Sequence, residues 1–228
     1  MQTMKSLATI ALSLFTAISI SAQANYFNEA VRFNKFIDRV NAPKGLALVY
    51  ADIEGNAYFA KNFVSANIEN ATSLIKARYN TYTDTVELQN NEDIFELPKS
   101  QKYGRITFIN PSAVLVYVTT GNIPQGYYFE LAKGKYTLLK KLKAEFREGS
   151  PAVNSFTPAI LPRFENLNPV YYIKTDSDVI KLTKNVKDLT TAMPDKKDVI
   201  TDFVKKNKIK FNEDSDLTRL VNFLNTSN

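Results

Sequence analysis

The sequence has no cysteine, no histidine and no tryptophan. Without cysteine there can be no disulfide, no thiolate metal site, no cysteine nucleophile and no lipid-modified cysteine to anchor a lipoprotein. Without histidine the chain lacks the usual general base near neutral pH and the commonest metal ligand. The two absences together exclude the histidine-dependent serine triad, the cysteine proteases, and ordinary zinc and copper sites. Carboxylate chemistry, Ser–Lys or Tyr chemistry and oxygen-based cation binding stay open. Glycine is also scarce, at seven residues, and no phosphate loop or dinucleotide fingerprint is found among them. No cofactor and no nucleic-acid partner is expected.

What is present begins with an export pattern. "MQTMK" carries Lys5, "SLATIALSLFTAISIS" is uncharged and largely apolar, and "AQA" ends at Ala24. That layout predicts a signal peptide over 1–24, cleaved after Ala24. The run is too diluted by Ser and Thr for the roughly 20 strongly apolar residues of a membrane anchor. Nothing later approaches that length, so no membrane span is expected in residues 25–228. The expected location is periplasmic or extracellular, without a lipid anchor. The formal net charge is +6, which suits a solvated basic surface with weak attraction to anionic partners.

Along the chain, Phe33, Phe36, Ile37 and Val40 predict an N-terminal helix within Asn25–Gly45. "LALVYADI" has strand composition. "SLIKARYNTYTDTVELQNNEDIFELPK" reads as a β stretch interrupted by a turn at "QNNED", and "GRITFI", "AVLVYVTT" and "GYYFEL" continue it. Strands so closely spaced, with no helix between, argue for an antiparallel meander. Pro151, Pro158, Pro162 and Pro169 mark 151–169 as a long loop through which no regular element should run. Beyond it, "KNVKDLTTAMP", "DKKDVITDFVKKN" and "NEDSDLTRLVNFLN" each have an apolar stripe at helical spacing, the last with Asn212 as expected N-cap. The expected fold is α+β: an antiparallel β-meander with an N-terminal helix and a C-terminal helical cap. Its segments are 25–150, the proline-rich loop 151–169, and a hairpin plus helices over 170–228, all within one unit.

The chain nearly repeats itself. "YYFELAKGKYTLLKKLK" (Tyr127–Lys143) aligns with "YYIKTDSDVIKLTKNVK" (Tyr171–Lys187). Both predict strand, turn, strand with alternating apolar residues. The copies keep Tyr-Tyr and the apolar positions, whereas Glu130 becomes Lys174, Lys133 becomes Ser177 and Lys135 becomes Val179. A repeated binding site would keep its polar groups, so the repeat is read as architectural.

Several residue groups could carry chemistry. Leu139, Leu142 and Phe146 suggest a helical turn whose exposed side bears Lys140, Lys141 and Lys143. With Lys205 and Lys206 these could form a weak polyanion patch, although charge runs commonly just solvate a surface. Glu130 and Glu165 are acids that could pair as glycoside hydrolysis requires. "TDSDV" and "NEDSD" lack the spacing of an EF-hand loop, and no metal site is expected. The many tyrosines and phenylalanines read mainly as sheet and core residues. "DTV" has the Asp–Thr–aliphatic form of an O-glycosylation acceptor, with Thr85 as the residue modified.

"ARYNTYTDTVELQ", "PVYYIKTDSDVIKLTKNVKDL" and "KKDVITDFVKKNKIKFNEDSDLTRLVNFLN" together resemble a group of uncharacterised exported proteins of Bacteroidetes. The resemblance implies the export and the architecture but no activity, because the group has no established one. The functional expectation is therefore a non-catalytic binding or structural protein of the bacterial envelope, with an envelope protein or glycan as partner. The alternative is a carboxylate-dependent glycoside hydrolase or a carbohydrate-binding domain.

Overall fold

The computed structural model describes residues 39–41, 47–152, 156 and 158–227. The expected signal peptide lies outside the described residues, as does nearly all of the expected N-terminal helix. Of that helix's span only Arg39–Asn41 is described, and it is a strand (β1) paired with Ala47–Val49 (β2). No helix among the described residues is long and apolar enough to cross a membrane.

A ten-stranded antiparallel sheet organises the molecule. Its strands are Val64–Ile68 (β3), Ile75–Asn80 (β4), Thr85–Asn90 (β5), Asp93–Glu96 (β6), Arg105–Phe108 (β7), Ala113–Val118 (β8), Gly126–Ala132 (β9), Thr137–Lys141 (β10), Val170–Lys174 (β13) and Val179–Leu182 (β14). They lie in the order β14-β13-β10-β9-β8-β7-β3-β4-β5-β6. Two meanders, β3 to β6 and β7 to β10, are thus joined by the β3–β7 pair, and β13–β14 is added beside β10. Ala144–Arg147 (β11) and Arg163–Asn166 (β12) form a separate antiparallel ribbon. Helices Val186–Ala192 (α1), Lys197–Asn207 (α2) and Asp214–Thr226 (α3) end the chain.

One face of the sheet is apolar from end to end, as period-two alternation requires. Tyr79 of β4 meets Tyr127 and Phe129 of β9 at ring-centroid distances of 6.0 and 5.7 Å. Four strand spacings separate β4 from β9, about 19 Å in a flat sheet. The sheet therefore curls, and Phe59 fills the trough between Phe108 and Phe129. Further along the same face, Leu138, Tyr171, Ile173 and Leu182 pack against Leu189, Ile200, Leu217, Leu220 and Leu224 of the helices. Against the outer side of β4–β5 sits a small cluster of Ile53, Ala57 and Phe164, beside the β11–β12 ribbon.

Four sequence expectations are corrected. The stretch 73–90 is a hairpin rather than one continuous β stretch. Asn80 Oδ1 accepts the N–H groups of Tyr82 and Thr83 at 3.0 and 3.1 Å, and Asp84 adopts a left-handed φ of 57°. Those features turn the chain without glycine or proline. The expected helical turn near Leu142 is instead β10 running into β11, because Phe146 packs against Phe164 across the ribbon. A regular element does occur inside the proline-rich loop: β12 fits between Pro162 and Pro169. Finally, Glu213, not Asn212, holds the N-cap position of α3.

Candidate binding groove

The repeated hairpins build one wall of an open groove. β9–β10 and β13–β14 lie side by side, joined by the β10–β13 pair. Positions equivalent in the repeat share a face: Tyr127 and Tyr171 point inward, Tyr128 and Tyr172 outward. The outward pair is in edge-to-face contact at 5.6 Å. On this outer face Val118, Tyr128, Leu139, Tyr172 and Val179 form a second apolar layer.

A loop closes over that layer. After β8 the chain at 119–125 folds back across the outer face, with Ile123 packed on the cluster. Tyr128 donates to the Pro124 carbonyl at 2.6 Å. Gly121 has φ 97° and lies so close to Val179 that a Cβ would sit 2.7 Å from its side chain. Both features require glycine there.

Between this loop and the hairpin turns runs an open groove of about 590 Å³. Val116 is the half-buried apolar residue of its lining, with the buried Val118 and Leu139 beneath, and Gln101, Thr119 and Thr120 lie at one end. Lys133, Lys135 and Asp176 on the hairpin turns, and Lys174 at the end of β13, stand exposed at the other end. Lys133 and Lys174 make no ion pair among the described residues.

Both turns are held rigidly. The side chain of Asn225, near the end of α3, accepts from Tyr136 N–H at 2.8 Å and donates to Tyr136 C=O at 2.9 Å. Gly134 lies directly over it, where a Cβ would come within 2.6 Å of the Asn225 amide. In the second turn Thr175 Oγ1 accepts from the Asp178 N–H at 2.9 Å, and Thr175 N–H donates to the Asp178 carbonyl at 2.8 Å.

The residues singled out from sequence are placed as follows. Glu130 borders the groove but is clamped by Arg105 through two hydrogen bonds of 2.6 and 3.1 Å. Glu165 lies on β12, away from the groove lining, and Arg147 donates to it at 2.8 Å. That hydrogen bond holds the Glu165 carboxyl below the usual carboxylate range. The five lysines of the expected polyanion patch are not gathered into one surface. Lys140 faces the helices and pairs with Asp214 at 2.7 Å. Lys141, the next residue on the strand, points to the opposite face and pairs with Asp84 at 2.6 Å. Lys143 pairs with Glu145, while Lys205 and Lys206 are exposed on α2. Thr85 is buried, 5% exposed, and its hydroxyl is hydrogen bonded to that of Thr83.

The groove lysines were passed over in the sequence because the repeat does not keep them. They share one end because β10 pairs with β13, a contact between distant segments that has no local signature. Comparison with protein-family models, with curated proteins and with solved structures gave no match.

Proposed function

We propose that this is a non-catalytic binding protein of the bacterial envelope, exported by the signal sequence over 1–24, and that the outer-face groove is its binding surface. One observation carries the reading. An open groove is bordered by Lys133, Lys135 and Lys174, which make no ion pair among the described residues, while the neighbouring carboxylate Glu130 is held by Arg105. Clefts of a few hundred cubic ångströms with convergent polar groups are where ligands commonly bind. The two acids singled out from sequence, Glu130 and Glu165, are both engaged by arginines and do not share the groove, which speaks against their acting as a glycosidase pair.

The test is a pull-down from the envelope fraction of the source cells, in low and high salt, with the exported protein and with a Thr120→Trp variant that obstructs the groove. A component retained by the parent protein and lost with Thr120→Trp supports the reading. Equal recovery by both proteins, or turnover of a substrate by the purified protein, sinks it.

A further inference from the structure

We draw no further inference here: the strongest candidate, the cleft beside β4 lined by Tyr50, Tyr58, Arg78 and Phe164, carries none, because Arg78 is engaged by Glu87, Tyr58 and the Lys61 carbonyl, the rings pack against one another, and nothing in the structure shows what would occupy it.

Discussion

Asp84 and Lys141 meet at 2.6 Å where the curled sheet closes on itself. The Asp84 carboxylate also accepts from the Tyr79 hydroxyl at 2.7 Å and from the Tyr127 N–H at 3.3 Å. Gly126 lies against it, at φ 154°, and a side chain there would run into the carboxylate. One acid thus ties the β4–β5 turn to β9 and β10. Burial lowers the Lys141 pKa, and Asp84 works against that by stabilising the charged form.

Replacing Asp84 by alanine leaves Lys141 largely buried without its partner. The expected loss is about 2–3 kcal/mol, below the full range for breaking a buried pair because both side chains retain some exposure. Asp84→Ala/Lys141→Met should recover part of that loss. Urea denaturation of the three variants measures it, and a double variant less stable than Asp84→Ala would refute the pairing.

Alkaline pH should destabilise the fold. The hydroxyls of Tyr79, Tyr128, Tyr171 and Tyr172 are all pushed above their ordinary range, chiefly by burial. The folded state keeps these protons where the unfolded chain releases them, so stability falls as pH rises past about 10. Each group adds a slope of up to about 1.4 kcal/mol per pH unit. Lys141 acts in the opposite sense, since its lowered value makes the unfolded state bind the extra proton below about 10.4. Four tyrosines outweigh one lysine. Denaturation midpoints at successive pH values from 9 to about 11 should decline, and a rise would show that these hydroxyls are not what titrates.

Tyr128→Phe removes the hydrogen bond to the Pro124 carbonyl while preserving the ring against Tyr172. The cost should be about 1 kcal/mol. Hydrogen exchange should quicken in residues 119–125 but not in the adjoining strands. Unchanged exchange in that loop would mean the bond does not hold it down.

Asn225→Ala strips both backbone groups of Tyr136 of their partner, at an expected cost of about 1–3 kcal/mol. Gly134→Ala should be costly in the parent protein and cheaper in the Asn225→Ala background, because the clash is with the Asn225 amide. A double-mutant cycle by thermal unfolding reads this coupling. Additive effects would show that Gly134 is constrained by something else.

Much of the sheet was legible because alternation is local. The strands from Arg105 to Ala132 and the three C-terminal helices follow directly from side-chain periodicity. The Tyr127/Tyr171 repeat likewise foretold two hairpins, and its Tyr128 and Tyr172 positions turn out to touch. The β4–β5 turn was hidden because Asn80 and Asp84 make it with side-chain bonds and a left-handed residue rather than with glycine or proline. β11 was misread because Leu139, Leu142 and Phe146 fit a helical spacing, and its strand partner lies beyond the proline-rich loop. The groove was least visible of all. It exists only where the 119–125 loop, two hairpin turns and the end of α3 come together, and such placement is not written in any short window.

The closure at Asp84 also dictates an order of assembly. The β4–β5 turn is finished early in the chain, but its carboxylate lacks the Lys141 cation until that residue has been made. A protein that leaves a ribosome or passes a translocation pore from its N-terminus must therefore carry an unsealed sheet through more than half its length. The last-emerging helices then cover the second half of the same apolar face. Until Lys141 is made, the trough lined by Tyr79, Phe108 and Leu115 lacks the Asp84–Lys141 closure.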